Sequence, residues 1–309
     1  MQLPYKNKYL LAPMEGVNDV AFRQLCEEKG AGFTYTQQLS PLAILHENEK
    51  TKNLLRTAPG ENVGLQLFGR NADTILKAWD LVHKPFKLLD LNLGCPSKKI
   101  VAQGYGSALL QEKQVVKKLV KDIAGSIEKP FTVKMRSGFK NEEAVAIAKM
   151  IEDGGAKAIA IHGRTQEQKY SGNADWNLIR KVHQTLSIPI IGNGDITKPE
   201  QAHEYINKDY CSHVMIGRGA MSNPSIFRQC INFEKDSTYE KSTKETQFKM
   251  MQRYHEIWKE RELPESLLRS HLTWMAHGFS GAAALRSLLN TSKPVPELTA
   301  FLRTDVVLE

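Results

Sequence analysis

A (β/α)8 TIM barrel followed by a small all-helical region is the fold class this sequence predicts, and three observations lead to it. Eight short apolar runs recur at 9–12, 33–36, 63–68, 88–93, 131–135, 158–162, 189–191 and 213–216, roughly one per thirty residues, the length of a strand–helix unit. Segments of helical periodicity separate them. The runs lack clean alternation of apolar and polar residues, which marks strands buried on both faces and hence a parallel sheet. A doubly wound open sheet is the alternative. It would usually have fewer strands and an N-terminal G-x-G-x-x-G turn, which is missing here.

The elements follow in order. After the first run, Phe22, Leu25 and Cys26 form a helical stripe that closes at Gly30. Pro85, Pro130 and Pro189 introduce three of the later runs, a position that suits the start of a strand but not its middle. Asn141-Glu142-Glu143 is expected to open a helix with an N-cap and an acidic first turn, with Val145, Ala148 and Ile151 as its apolar stripe and Gly154-Gly155 as its end. From Asp236 the text becomes polar and linker-like. Phe248, Met251, Tyr254 and Trp258 then recur at helical spacing, followed by Leu268, Leu272 and Met275, then Leu285, Leu288 and Leu289. The expected division is 1–235 for the barrel and 243–309 for the helical domain.

Composition narrows the class further. With 309 residues, 41% hydrophobic and 25% charged, the chain is that of a soluble globular protein with ample core. No stretch approaches the roughly 18 apolar residues of a membrane span, and the start has no apolar signal-peptide core. The four cysteines, Cys26, Cys95, Cys211 and Cys230, show no C-x-x-C spacing, so neither a zinc cluster nor a disulfide framework is expected; a reducing cytoplasm fits. A net charge of +8 is compatible with a polyanionic partner.

In such a barrel the chemistry gathers at the C-terminal ends of the strands. The residues there are Pro13-Met14-Glu15-Gly16, Gln66, Asn92 and Cys95, Lys134 and Arg136, His162 and Arg164, Asn193-Gly194-Asp195, and Gly217-Arg218-Gly219. The glycines could be plain tight turns. At the seventh and eighth strands together they also fit a phosphate site, with backbone amides cradling an anion and Arg218 adding charge-assisted bonds. Lys134 alternates with Phe131, Val133 and Met135, so it projects to the other face of its run. A lysine inside a barrel needs a partner, either a buried carboxylate or a bound anionic ligand. His162 is a core histidine or a ligand contact. Cys26, Cys211 and Cys230 read as small apolar fillers. Cys95 sits in a glycine–proline loop followed by Lys98 and Lys99, which presents its thiol at the mouth beside cations.

Taken together, Leu11-Ala12-Pro13-Met14-Glu15-Gly16-Val17, Asn92-x-Gly94-Cys95-Pro96-Ser97-Lys98-Lys99, Lys134-x-Arg136, His162-Gly163-Arg164-Thr165, Asn193-Gly194-Asp195-Ile196 and Met215-Ile216-Gly217-Arg218 resemble the tRNA-dihydrouridine synthase family, as does Leu268-Arg269-x-His271 in the tail. The resemblance implies an FMN enzyme that reduces the C5=C6 bond of a D-loop uridine in tRNA, with NADPH as reductant. It implies that Pro13, Met14, Glu15 and Gly16 line the isoalloxazine, and that Gln66, Lys134 and His162 bond its polar edge or ribityl chain. Asn193, Gly194, Asp195, Gly217 and Arg218 would hold the phosphate. Cys95 would be the proton donor, and Asn92, Arg136 and Arg164 substrate contacts. Lys98, Lys99, Lys140, Lys169 and Arg269 are candidate tRNA contacts. No metal, no membrane and no obligate protein partner is expected, with a monomer as the default.

The chemistry agrees in kind. Saturating a uracil needs hydride at C6 and a proton at C5, and a thiol of ordinary pKa near 8.5 remains protonated at neutral pH where a carboxylate would not. Two rivals stay open: a flavin barrel acting on a free pyrimidine, in the manner of dihydroorotate dehydrogenases, and a noncatalytic tRNA-binding protein.

Overall fold

Among the described residues eight strands form, at β1 (Tyr9–Leu11), β2 (Thr34–Leu39), β3 (Val63–Leu67), β4 (Leu89–Leu93), β5 (Phe131–Arg136), β6 (Ala158–His162), β7 (Ile190–Asn193) and β8 (His213–Ile216). The computed structural model describes residues 2–291, so the last part of the expected helical domain, 292–309, lies outside the described residues. The strands are ordered β1-β8-β7-β6-β5-β4-β3-β2, all neighbours parallel. A Leu10–Phe33 bridge brings β1 to β2 and closes the barrel.

Several strand ends shift by one residue from expectation, and β2 and β7 differ by more. β2 continues past Thr36 to Leu39, because after a register shift that passes over Thr36 and Gln37 the polar Gln38 rejoins the ladder opposite Gln66. β7 starts after Pro189, which has no N–H to give a ladder, and runs on to Asn193. Alternation also exists after all. Leu89, Leu91 and Leu93 of β4 and Phe131, Val133 and Met135 of β5 join one large apolar cluster with the helices. Leu10, Phe33, Tyr35, Ala158, Ala160, Ile191 and Met215 form a second, smaller cluster within the barrel. Above it the inward positions turn polar, and register aligns them: Gln66 beside Asp90, Asp90 beside Thr132, Asn92 beside Lys134, and His162 beside Asn193.

The helix Val20–Glu28 forms as expected, its first turn capped by Asp19, whose carboxylate accepts from the Phe22 amide at 2.9 Å. The helix after β5 starts two residues later than expected, at Ala144, with Glu143 rather than Asn141 at its N-cap position. Asn141, Glu142 and Glu143 belong to a loop that folds tightly over Gly138, where a Cβ would lie 1.8 Å from the Asn141 carbonyl oxygen. Glu143 pairs with Lys113 at 2.5 Å instead of capping through its side chain. Ile147 takes the place in the stripe expected of Val145, which is half-buried.

Beyond the barrel lie helices Lys244–Glu260, Glu265–Met275 and Ala282–Thr291. Met250, Met251, Tyr254 and Ile257 are buried in the first, while Phe248 and Trp258 are half-buried. In the last, Leu285 and Leu289 are buried but Leu288 is 42% exposed, contrary to expectation. These helices share the barrel's apolar cluster. A buried polar knot ties them on: the second oxygen of Asp19 accepts from Tyr254 Oη at 3.0 Å and bonds His271 Nε2 at 2.8 Å, and His271 stacks on Phe22 with centroids 4.8 Å apart. Among the described residues, no helix is long and apolar enough to cross a membrane, and no cluster could hold a metal ion.

Candidate active site

A cavity of about 1020 Å³ opens at the C-terminal end of the strands, lined from β1 round to β8 and by Trp274 of the helix Glu265–Met275. Cys95 reaches it from the loop after β4. That loop is held from below by one amide. Asn92 Oδ1 accepts from the backbone N–H groups of Gly94 and Cys95 at 3.0 and 2.9 Å. Arg136 Nε donates to the Gly94 carbonyl at 2.9 Å, and Ser107 Oγ donates to the Cys95 carbonyl at 2.7 Å. The other three cysteines are buried, and burial pushes Cys211 and Cys230 up to about 12, so they are inert fillers as expected.

Below Asn92 a hydrogen-bonded chain continues down the barrel wall. Asn92 Nδ2 donates to Gln66 Oε1 at 2.8 Å, Gln66 Nε2 donates to Asp90 Oδ2 at 2.7 Å, and Thr132 Oγ1 donates to Asp90 Oδ1 at 2.6 Å. Burial pushes the Asp90 carboxyl up to about 6, against these bonds and against Lys134, which favour its charge. Asn92 and Gln66, expected at substrate and cofactor, line the cavity. Most of their polar capacity nevertheless serves this chain, and Asn92 orients the thiol loop.

Lys134 Nζ donates to Asn193 Oδ1 at 3.1 Å, and Asn193 Nδ2 donates to the Met215 carbonyl at 2.7 Å. Burial first, and Arg136 next, lower the Lys134 ammonium to about 8. Among the described residues no carboxylate lies within ion-pair distance of it. A buried cation with an amide neighbour and an open cavity ahead of it suits an anionic ligand edge. Burial and the surrounding cations Lys134, Arg136, Arg164 and Arg218 hold His162 well below the usual imidazole range, so it is neutral at physiological pH. Gly194 beside it has φ +135°, and a Cβ would lie 2.5 Å from Ala174 Cβ, so glycine is required.

At the β7–β8 end, Asp195 does not itself hold an anion. Its carboxylate accepts from Arg164 at 2.7 Å, from Arg218 at 3.0 Å and from the Ala174 amide at 2.8 Å, and these cations keep its pKa low despite burial. It therefore aims Arg218, which borders the cavity with the first amides of the helix Arg218–Ser222, donors that have no intrahelical acceptor. Gly219 follows the backbone of Ile196 so closely that a Cβ would meet its carbonyl at 2.4 Å.

Pro13, Met14, Glu15 and Gly217 line the cavity. Gly16 makes the turn beneath, with φ +75° and its amide donating to Gln37 Oε1 at 2.8 Å. Three of the expected contacts are redirected. Arg164 is 2% exposed and does not border the cavity; its donors go to Asp195 and to the Ser171 and Gly172 carbonyls, so it braces the loop rather than facing a substrate. Arg269 joins the last two helices through Glu265 and the Leu289 carbonyl. Arg136 does border the cavity, but donates to the Gly94, Thr165 and Lys169 carbonyls, leaving part of its fork free. Lys98 and Lys169 are exposed at the rim, Lys99 is exposed beside it, and Lys140 pairs loosely with Glu167 at 3.8 Å.

Four lining or supporting residues escaped sequence reasoning. Asp90 was legible in principle, two positions before Asn92 and so on the same face. Tyr170, 58% exposed, lies between the Arg218 guanidinium at 4.8 Å and that of Arg136 at 5.8 Å, which only the folded loop brings together. Trp274 arrives from the helical region, and Gln38 from beyond the expected end of β2.

The fold and the site define a (β/α)8 protein whose mouth brings a thiol, buried cations and the glycine turns after β7 and β8 around one cavity. The family model described as dihydrouridine synthase (Dus) matches residues 10–308. The tRNA-dihydrouridine synthase B of Pasteurella multocida is 35% identical over 307 residues, covering 96% of this chain and 92% of that one. A probable tRNA-dihydrouridine synthase of Rickettsia conorii is 33% identical over 311 residues, covering 96% and 94%. Among solved structures, the 6-hydroxypseudooxynicotine amine oxidase of Pseudomonas geniculata N1 matches with a TM-score of 0.60 at 11% identity, over 77% of this chain and 49% of that one. Histamine dehydrogenase from Rhizobium sp. 4-9 matches with a TM-score of 0.56 at 12% identity, over 83% and 50%; both likenesses concern the fold alone. This chain belongs to the dihydrouridine synthase family.

Proposed function

We propose that this chain reduces the C5=C6 bond of a D-loop uridine in tRNA, with FMN as its resident cofactor and NADPH as the reductant. The observation that carries the reading is the placement of Cys95 at a cavity that also holds the Lys134 ammonium, bonded to an amide but to no described carboxylate, in a chain that matches the dihydrouridine synthase family. The donor set fits FMN. Lys134, His162 and Asn193 supply donors for the polar edge of a flat ring, while Arg218 and the amides at the start of its helix suit a phosphate. Pro13 and Met14 give the slot an apolar wall. FMN, when bound, supplies the hydride that adds to C6.

Cys95 carries the complementary half of the reaction. Its thiol gives a proton to C5, which becomes basic once C6 has gained hydride. The loop bonds from Asn92 and Ser107 fix the thiol's position. Lys134 favours negative charge developing at the ring edge it faces. Neutral His162 offers a donor and an acceptor without competing for that charge. Tyr170 and the unused part of the Arg136 fork stand where an everted base would enter. Lys98, Lys99 and Lys169 would contact phosphates of the tRNA around the rim.

Purified protein should be yellow, and should form dihydrouridine in tRNA taken from a strain lacking the gene, while free uridine stays unreduced. Position-by-position mapping of that tRNA identifies the uridine. Colourless protein with no such activity would refute the reading; reduction of free pyrimidine in preference to tRNA would replace it with the free-pyrimidine rival. Affinity for tRNA should fall at least about tenfold between low and physiological salt, as phosphate contacts require.

A further inference from the structure

The β2–β3 ladder shifts register between Tyr35 and Gln38. In an unbroken strand Gln37 would share the face of Tyr35, and Gln38 would point the other way. The shift sets Gln38 opposite Gln66 and brings its side chain to the cavity. Irregularities of this kind re-aim side chains beside reactive sites. This one is held in place. Thr36 Oγ1 accepts from the Gln66 amide at 3.0 Å and donates to the Gln37 carbonyl at 2.8 Å, filling the gap in the ladder.

Gln38 Nε2 donates to two acceptors, Glu15 Oε2 at 2.9 Å and Cys95 Sγ at 3.0 Å. A carboxylate only accepts, so Glu15 dictates that the nitrogen, not the oxygen, of the amide faces the sulfur. Gln38 Oε1 is buried without a partner, a cost tolerated for the sake of that orientation.

We propose that Gln38 is a catalytic residue of the proton-donation step, a proposal that rests on Cys95 being the donor. Its N–H occupies a lone pair of the sulfur, so the thiol proton is directed elsewhere. After hydride has added at C6, the base is an enolate. The S–H bond breaks, a C5–H bond forms with the enolate electron pair, and the S–H electron pair stays on sulfur as thiolate; solvent later returns the proton. The bond from Gln38 then ends on an anion, and charge-assisted hydrogen bonds are roughly twice as strong as neutral ones. An interaction that strengthens along the reaction lowers its barrier. Glu15 acts through Gln38 as a positioning residue.

The test is a single turnover of chemically reduced holoenzyme with tRNA lacking dihydrouridine, following flavin oxidation in H2O and D2O. Gln38→Met should keep the flavin and the tRNA affinity but react at least tenfold more slowly, with a larger solvent isotope effect than the unmodified protein. Should Gln38→Met lose flavin, Gln38→Leu, which also removes the donor and sets no second carboxylate beside Glu15, is read instead and should be slowed to a similar extent. Either variant reacting at the unmodified rate and isotope effect, while Cys95→Ala is slow, overturns the role of Gln38. A Cys95→Ala protein as fast as the unmodified one would instead overturn the donor assignment, and this proposal with it.

Discussion

The two sides of the cavity are built by different physics. On the thiol side, from β3 to β5, position is set by directional hydrogen bonds among amides, one hydroxyl and one carboxylate: Thr132 to Asp90, Gln66 to Asp90, Asn92 to Gln66, and the Gly94 and Cys95 amides to Asn92. On the anion side, from β6 to β8, it is set by charge: Asp195 gathers Arg164 and Arg218. Hydrogen bonds are short-ranged and angular, so they suit an atom that must meet a particular carbon. Coulomb forces fall off slowly, so they suit a ligand group that need only be held. Disturbing the first side should lower the rate, and disturbing the second should lower occupancy.

The largest effect that sharpens this contrast belongs to Lys134, which stands between the two sides. Lys134→Met should lower the rate of base reduction by about 10²-fold, the scale of removing one charge-stabilising donor from an active site. With its ammonium lowered to about 8, activity of the unmodified protein should also decline as pH rises through that value, because the charge is lost there. The variant should show no such limb in its pH–rate profile.

Asp90→Asn comes next. It sets an amide nitrogen against one of the two donors, Gln66 Nε2 or Thr132 Oγ1, and should slow the reaction about tenfold or more with cofactor affinity unchanged, since small misplacements of a reacting group are costly. Adding Gln66→Glu restores an acceptor facing both Asn92 and the amide introduced by Asp90→Asn, and should recover most of the rate. Failure of the pair to recover would break the hydrogen-bond account of the thiol side.

Arg218→Ala should act in the opposite sense, weakening flavin binding about tenfold, the worth of a charge-assisted bond, while leaving the single-turnover rate of loaded protein nearly unchanged. Flavin released on dialysis measures it. The smallest effect concerns stability. Burial raises the Asp90 carboxyl from 3.8 to about 6, so the folded state holds that proton more tightly than the unfolded chain does. The contribution is present below about pH 4 and lost as pH rises through about 6. Denaturation midpoints of the unmodified protein should therefore fall relative to those of Asp90→Asn across that window.

The barrel was legible because apolar runs and the unit length between them are local properties, and so was the ring of residues at the strand ends. Lys134, Cys95, His162, Asn193 and Arg218 all border the cavity as expected. What sequence could not supply was the second layer of partners. Arg164 reads like a ligand contact until Asp195, with its φ of +56°, turns to meet it. Arg269 stands beside a motif, but its donors depend on how two helices pack. Gln38 was hidden because two polar residues look like the end of a strand, whereas the register shift passes over Gln37 and returns Gln38 to the ladder. The late start of the helix at Ala144 follows from Gly138, whose missing side chain lets the loop close where a capping sequence suggested a helix.

As proton donor, the sulfur of Cys95 should meet C5 of an everted uridine from the face opposite the ring slot. A structure of the flavin-loaded protein with tRNA tests it most directly. The account predicts Cys95 Sγ within about 4 Å of C5, close to the reach of a proton donor, with the flavin ring on the other face of the base. Sulfur and flavin on the same face, or a sulfur screened from the base by the Gly94–Ser97 loop, would contradict it.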